Sequence, residues 1–288
     1  MNALRSLLRR CAGLLAAGLL ALAPLAHGGQ PCEAQRPSAS ALRQGLELAA
    51  STARALDDWG VRAAVIARVG QDLGEYGLRY SHLAFVYRDD AALGGRGAWR
   101  VVHKLNACGS DRAGLHRQGL AEFFSDGLHA FEAGVVVPQA AVQAKLVTAL
   151  RDDRQLVRLH EPRYNMLAYP WATRYQQSNQ WAIETLAMVL DPGADTRERA
   201  QAWLRLRGYQ PTTLKLSAGK RLGARIGSAN IAFDDHPFGR RMSDRIDTVT
   251  VDSVFQWLQR SGLGGPPRVV RPAPPAVPRT ARAVTASI

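Results

Sequence analysis

Two histidines of this chain occupy short segments that are typical of β-strands. His82 lies in YSHLAFVYR and His103 in WRVVHKL, and both segments are rich in β-branched and aromatic residues. The Asp- and Gly-rich loop DDAALGGRGA between them suits a hairpin centred near Leu93 and Gly94, and the midpoint of the two histidines falls close to that centre, between Ala92 and Leu93. Because alternate strand residues share a face, both histidines point to an apolar side, nearly opposite each other. The spacing therefore predicts two imidazoles in contact.

Three chemical roles remain open for such a pair. One neutral ring can simply accept a hydrogen bond from the other inside the core. A two-histidine metal site is a second role, but no short ligand spacing or neighbouring carboxylate accompanies the pair, and no metal is predicted. In the third role one imidazole is a general base and the second group holds its tautomer and orientation.

A general base requires a nucleophile, and Ser178 is the best candidate. The stretch RYQQSNQWAIETLAMVL places Ser178 among polar residues immediately before an apolar helical pattern that begins at Trp181. At a helix N-terminus, unpaired backbone N–H groups and the positive end of the macrodipole stabilise a nearby oxyanion. Serine is also a common N-cap, so a purely structural role stays open.

The surrounding elements predict an α+β fold with an antiparallel sheet packed against helices. A helix is expected from Ser38 or Ser40 to Gly60, followed by strands in the segments 61–70, 78–89, 99–105 and 133–138. Helices are expected over 139–150, 178–190 and 196–207, and strands near TTLKL, ANIAF and RIDTVTV. A closing helix, DSVFQWLQRSG, is expected to be capped by Asp252 or Ser253. No Gly-rich fingerprint joins a strand to a helix, which disfavours a nucleotide-binding fold, and no cofactor is predicted.

The two ends of the chain differ in composition from its centre. Residues 1–28 carry three arginines before a short apolar run and small residues, which predicts a signal peptide and a periplasmic or secreted protein. Residues 264–288 hold six prolines and four arginines and predict a disordered tail, leaving residues 29–263 as a single domain. These seven arginines supply more than half of the net charge of +13. The remaining excess does not indicate nucleic-acid binding, and no transmembrane segment is expected in the mature protein.

Two cysteines remain after removal of the signal peptide, Cys32 and Cys108. In an oxidising compartment an even pair most simply forms a disulfide, which here would tie the mature N-terminus to the domain. A free, reactive Cys108 is the alternative.

The order of these motifs resembles the circularly permuted branch of the papain-like superfamily. SHLAF on one strand, an inward histidine on the next and QQSNQWA at a helix start match the pattern of lecithin:retinol acyltransferase-like enzymes and bacterial cell-wall peptidase relatives. The chain also resembles a bacterial family of exported proteins of unknown function over residues 32–263. The resemblance implies a permuted papain-like fold with His82 as base, His103 as orienter and Ser178 in place of the expected cysteine.

What the resemblance implies for function is an amide or ester hydrolase or an acyltransferase with a Ser-His-His site. Cell-wall peptides or lipid acyl groups are the implied substrates, and no protein partner is indicated. Tyr80, Gln177 and Asn179 are candidate ligand-binding residues beside the site. Because a serine hydroxyl stays protonated at neutral pH, an inactive relative that binds an envelope ligand or a protein partner through the same cleft is the alternative.

Overall fold

A computed structural model describes residues 37–273 of the chain. The α-helices of this range are α1 (Ala39–Asp58), α2 (Leu120–Phe124), α3 (Ala140–Arg151), α4 (Asp153–Arg158), α5 (Ser178–Leu190), α6 (Arg197–Leu206), α7 (Ala218–Gly227), α8 (Phe238–Arg241) and α9 (Val251–Arg260). The strands are β1 (Ala63–Val69), β2 (His82–Asp89), β3 (Ala98–Asn106), β4 (Ala113–Gly119), β5 (Ala130–Val136), β6 (Thr212–Lys215), β7 (Arg245–Thr248) and β8 (Arg268–Val270). The predicted signal segment 1–28 lies outside the described residues.

Six of the strands form one antiparallel sheet in the order β4-β3-β2-β1-β5-β8, and β6 pairs with β7 in a separate antiparallel ladder. The predicted α+β class with an antiparallel sheet packed against helices is therefore confirmed. In the part of the chain that the structure describes, no helix is long and apolar enough to cross a bilayer.

Helices cover the six-stranded sheet on both sides, which we call the α5 face and the α1 face. On the α5 face, Leu83 and Phe85 of β2 pack with side chains of α3, α5 and α9. On the α1 face, Ala84 and Val86 pack with side chains of α1 and α2. Because successive strand residues point to opposite sides, β1 is buried at every position, and its sequence AAVIARV is a nearly continuous apolar run.

Side-chain caps define where several helices begin. Ser38 accepts a hydrogen bond from Ala41 N at 3.1 Å, which confirms the predicted start of α1. The predicted closing helix is present as α9, but its predicted cap, Asp252 or Ser253, was wrong, because the N-cap is Thr250. Thr250 Oγ1 accepts from Ser253 N, and Ser253 Oγ accepts from Thr250 N, so the two residues form a reciprocal capping box.

The predicted strand at ANIAF, residues 229–233, is absent from the described structure. The side chain of Asn165 instead satisfies the backbone of Ala232: its Nδ2 donates to the carbonyl and its Oδ1 accepts from the N–H. A side chain that supplies both bonds takes the place of a neighbouring strand.

The predicted tail boundary at residue 264 is too early. β8 pairs with β5, opposing Val270 to Ala133, and Val270 is only 8% exposed. Because β8 is the edge strand of the sheet, the prolines around it, Pro267 and Pro272, do not remove an interior ladder bond. Residues 274–288 of the predicted tail lie outside the described range.

Cys108 lies in the exposed turn that joins β3 to β4. Its predicted partner, Cys32, is outside the residues that the structure describes. The disulfide between them stays a prediction.

Candidate active site

The imidazoles of His82 and His103 form a direct hydrogen bond. His82 Nε2 lies 2.8 Å from His103 Nδ1, and the ring planes meet at 79°. The predicted contact between the two rings is confirmed, but their nearly opposite placement is not. Phe85 pairs with Val102, so the hairpin is centred between Leu93 and Gly94, as the loop predicts, and the histidines are diagonal neighbours. Diagonal Cβ atoms are about 7 to 8 Å apart, a gap that two imidazoles can bridge.

Two further side chains fix the proton positions of this pair. His103 Nε2 lies 2.7 Å from Gln118 Oε1, and Gln118 Nε2 donates to Glu122 Oε1 at 2.9 Å. An ionised carboxylate only accepts, so Glu122 selects the amide orientation in which the Gln118 carbonyl faces His103. His103 Nε2 must then be the donor, and its Nδ1 accepts from His82 Nε2. In neutral His82, Nδ1 is left unprotonated and able to take a proton.

We call these four residues, His82, His103, Gln118 and Glu122, the histidine relay. Burial, the nearby Arg68 guanidinium and the second ring hold the pKa of His82 well below its usual value. Burial and Arg68 lower the pKa of His103 to about 4. Both rings are therefore neutral at pH 7, which the tautomer assignment requires.

Arg68 is a fixed cation beside the relay. It lies opposite His82 in the β1–β2 ladder and is 6% exposed. Its guanidinium donates to the Phe123 carbonyl at 2.5 Å and to Asp126 Oδ2 at 2.6 Å. The Phe123 ring lies under both imidazoles, with centroid distances of 6.1 Å to His82 and 5.2 Å to His103. The relay is thus held on the α1 face between a cation and an aromatic ring.

The first turn of α5 reaches the start of β2 from the other side. The β2–β3 ladder stops short of Leu83, whose N–H donates instead to Asn179 Oδ1 at 2.9 Å. Ser178 directly precedes Asn179, and His82 directly precedes Leu83. The end of the β2–β3 ladder leaves a gap between the two strands, and the hydrogen bond between the imidazoles bridges it. The bond from Leu83 to Asn179 holds the N-terminus of α5 beside this gap.

Ser178 itself is 4% exposed and contacts Tyr164. Burial raises the pKa of Tyr164, and hydrogen bonds from the side chain and backbone of Ser178 to the phenol partly offset this. No hydrogen bond joins Ser178 to His82 among residues 37–273. The structure therefore brings the two histidines together and places Ser178 close by in the fold, on the α5 face, with its hydroxyl directed at a tyrosine.

A family model described as "Uncharacterized protein conserved in bacteria (DUF2145)" matches residues 55–258, which include the whole relay and Ser178. The chain belongs to the DUF2145 family. Neither a curated protein nor a solved structure is similar enough to be matched. Within residues 37–273 of this DUF2145 chain, no group of three or more His, Cys, Asp or Glu side chains could hold a metal ion.

The predicted ligand-binding amides of this DUF2145 chain are engaged internally. Gln177 caps α5 and donates to Thr248 Oγ1 at 2.8 Å and to the Val249 carbonyl at 2.7 Å. Asn179 also donates to Val249, at 3.3 Å, besides accepting from Leu83. Both side chains are at most 6% exposed. Their bonds fix the α5 N-terminus between β2 and the segment before α9.

Tyr80, the third candidate ligand-binding residue, does not lie on the same face of the sheet as His82. It precedes the first residue of β2, so strand alternation does not extend to it. Its ring packs against Phe255 on the α5 face, and its hydroxyl donates to Glu132 Oε1 at 3.1 Å. The predicted ligand role of Tyr80 beside the imidazoles has no geometric support.

Sequence reasoning missed a second polar group, on the α5 face. Lys104, which follows His103, donates to Gln176 Oε1 at 2.9 Å, and Gln176 donates to Glu184 Oε2 at 2.6 Å. Arg197 pairs with both Glu184 oxygens at 2.8 and 3.1 Å, and Gln201 donates to Oε1 at 2.7 Å. We call these five residues, Lys104, Gln176, Glu184, Arg197 and Gln201, the Lys104 cluster.

The Lys104 cluster is sealed from solvent. The Lys104 side chain is 0% exposed, and burial followed by repulsion from Arg197 lowers its pKa to about 7. Gln176 lies immediately before the N-cap of α5, so the cluster anchors the segment that carries Ser178. One signal for the Lys104 cluster was present in the sequence, namely a lysine inside the apolar strand segment WRVVHKL.

Proposed function

We propose that this domain is an amide or ester hydrolase or an acyltransferase of the permuted papain-like type, acting in the periplasm or outside the cell. The observation that carries the proposal is the relay Glu122–Gln118–His103–His82. It leaves His82 Nδ1 unprotonated, as a general base requires. The sequence resemblance supplies the reaction class, and the helix N-terminus at Ser178 supports it.

In the proposed reaction, the Ser178 hydroxyl attacks the carbonyl carbon of an amide or ester. Because Ser178 and His82 lie on opposite faces of the sheet, the hydroxyl proton must pass to His82 Nδ1 through the gap where the β2–β3 ladder ends, while His82 Nε2–H stays bonded to His103. The oxyanion of the tetrahedral intermediate is stabilised by the N–H groups of the first turn of α5. The imidazolium then gives its proton to the departing amine or alcohol, and water or a second acceptor repeats the sequence to release the acyl group.

The Ser178 hydroxyl must leave the Tyr164 phenol to take part. Rotation about χ1 breaks one hydrogen bond, while the backbone bond from Ser178 to Tyr164 can remain. A carbonyl oxygen that displaced the phenol would receive that backbone N–H. In this proposal Tyr164 occupies the oxyanion position of the unliganded site.

The electrostatics favour a slow enzyme. Arg68 penalises the imidazolium that forms when Ser178 loses its proton, and the neutral His103 stabilises it less than the aspartate of a serine triad does. A base with a pKa well below 7 is fully unprotonated at neutral pH, but removes a hydroxyl proton with little driving force. Activated esters are therefore better test substrates than peptides.

A fluorophosphonate probe followed by intact-mass analysis tests the proposal. The wild type is expected to gain one adduct, and Ser178→Ala is expected to gain none. His82→Ala should gain its adduct at least about 100-fold more slowly than the wild type. Ser217→Ala is the matched control, because Ser217 also stands at a helix start, as the N-cap of α7. Adduct formation that persists in Ser178→Ala contradicts the assignment.

A second function, ligand binding without turnover, is favoured by the bonds between Ser178 and Tyr164 and by the cation at Arg68. In this alternative the gap at the end of the β2–β3 ladder, beside the N-terminus of α5, receives a carbonyl or carboxylate group of an envelope ligand. A folded wild type that never gains an adduct, under conditions that label a serine esterase, favours this role over catalysis.

A further inference from the structure

Three large apolar side chains are exposed on two short helices far from the relay in sequence. Leu222 of α7 is 62% exposed, Phe238 of α8 is 75% exposed, and Met242, directly after α8, is 73% exposed. Met242 N donates to the Phe238 carbonyl at 3.0 Å, so these two residues lie one helical turn apart on the same side. Isolated exposed apolar residues are ordinary, whereas three of this size lie here in segments that Arg221 ties together, and we call these three side chains the apolar patch.

Arg221 joins the two helices into one surface. Its guanidinium donates to the carbonyls of Arg241 and Ser243, which flank Met242. The same guanidinium lies 5.1 Å from the centroid of Phe233, a core residue of the β6–β7 subdomain. Arg221 directly precedes Leu222, and its two acceptor carbonyls flank Met242, so this contact ties together the two segments that carry Leu222 and Met242.

The charge around this patch is strongly positive. α7 contains three basic residues and no acid, and residues 237–242 add two arginines and no acid. Exposed cations of the subdomain are Lys215, Lys220, Arg225, Arg241 and Arg245. The same segments carry one exposed acidic residue, Asp244, and Lys220 forms an ion pair with Glu75. The result is an apolar centre with a basic margin.

We propose that this surface, formed by α7, α8 and Met242, docks on the anionic headgroups of a phospholipid membrane. Apolar side chains that project from short helices can enter the boundary between headgroups and acyl chains, while surrounding lysines and arginines pair with lipid phosphates. A nucleic-acid surface would stack bases on several aromatic rings, whereas two of the three exposed side chains here, Leu222 and Met242, are aliphatic and only Phe238 carries a ring. The docking surface is independent of catalysis at Ser178.

Vesicle co-sedimentation of the mature full-length chain tests the proposal. Equimolar phosphatidylglycerol and phosphatidylcholine vesicles are compared with vesicles of phosphatidylcholine alone. The wild type is expected to bind the anionic vesicles more tightly, and raising the salt concentration should weaken this preference. A wild type that does not bind, or that binds both vesicle types equally, overturns the proposal.

Two double variants separate the apolar and the charged contributions. Phe238→Ser with Met242→Ser, and Arg225→Glu with Arg241→Glu, should each lower affinity for anionic vesicles about tenfold or more, since each side chain contributes roughly fivefold. The control combines Val157→Ser on α4, where the side chain is 57% exposed, with Arg54→Glu on α1, and should bind as the wild type does. Circular dichroism checks that every variant is folded. Double variants that bind like the control contradict the proposed surface.

Discussion

His103 and Lys104 are consecutive residues of β3, yet their side chains belong to opposite kinds of environment. His103 points to the α1 face, where it joins a chain of neutral hydrogen bonds that ends at the exposed carboxylate of Glu122. Lys104 points to the α5 face, where it joins a buried group that also contains the Glu184–Arg197 ion pair. The histidine relay reaches solvent at Glu122, whereas the Lys104 cluster is buried.

The difference separates a group that can exchange protons from one that holds the structure. In the histidine relay, each donor and acceptor assignment follows from the next, and the assignments end at a free lone pair on His82. In the Lys104 cluster, the two oxygens of Glu184 accept four hydrogen bonds from three side chains. Buried charges with all partners in place stabilise little on their own, but removing one partner is costly.

The largest expected effect comes from breaking the charge balance on the α5 face. Arg197→Met leaves the Glu184 carboxylate buried without its cation and should lower the free energy of unfolding by about 3 to 5 kcal/mol. Urea titration measures this. Arg199→Met, on the same helix, removes an exposed pair with Asp195 and should cost less than about 1 kcal/mol. Equal losses in the two variants would contradict the prediction that removing the buried partner of Glu184 costs more than removing an exposed ion pair.

The second effect is a pH dependence from the α1 face. The pKa of His103 is lowered to about 4 from about 6.5 in an unfolded chain, so neutral burial contributes its full stability above pH 6.5. As pH falls from 6.5 to 4, the unfolded state takes up the proton first, and about 3 kcal/mol is lost. His103→Gln does not titrate, so its unfolding free energy should depend less on pH across this window.

Urea titrations at intervals between pH 4 and 7 measure that difference, with His129→Gln on an exposed histidine as the control. On the α5 face the sign is the same but the window differs. The lowered pKa of Lys104, about 7 against about 10.5 when unfolded, makes stability rise with pH between 7 and 10.5. A wild type whose stability difference from His103→Gln is constant from pH 4 to 7 contradicts the account of the α1 face.

The smallest effect sharpens the relay itself. Glu122→Gln can donate as well as accept, so it no longer forces the Gln118 carbonyl towards His103. The labelling rate of Ser178 by the fluorophosphonate should fall about tenfold, as for other groups that orient a reactive residue. Glu47→Gln on α1, which removes an exposed pair with Arg43, is the control and should leave the rate unchanged. Equal rates in wild type and Glu122→Gln would leave the carboxylate without a role.

Sequence alone predicted the elements with a clear period. The contact between His82 and His103 followed from strand alternation and a glycine-rich loop, and α5 begins at Ser178 and ends at Leu190 as predicted. The hairpin turn is centred between Leu93 and Gly94 as the loop predicts, but the two histidines are diagonal neighbours rather than directly opposed. Leu93 and Gly94, with φ of 56° and 68°, form that turn.

The rest of the site could not be read from local patterns. Gln118 lies in AGLHRQG, which lacks the alternation of a strand, so β4 and its side-chain partner were invisible. Tyr164 lies in an irregular segment whose path depends on backbone bonds such as Tyr164 N to the Asp111 carbonyl. The imidazoles and α5 lie on opposite faces of the sheet because helices pack on both of its sides. No sequence periodicity encodes which helix covers which face.

Nitrogen-15 chemical shifts of the histidine rings at pH 7 test the central claim most directly, with His82→Gln to assign the signals. The relay predicts a neutral His82 with an unprotonated Nδ1 and a protonated Nε2, and a neutral His103 with the same tautomer. A protonated Nδ1 on His82, or a charged ring at neutral pH, would contradict the account, because the proposed base would have no lone pair to offer.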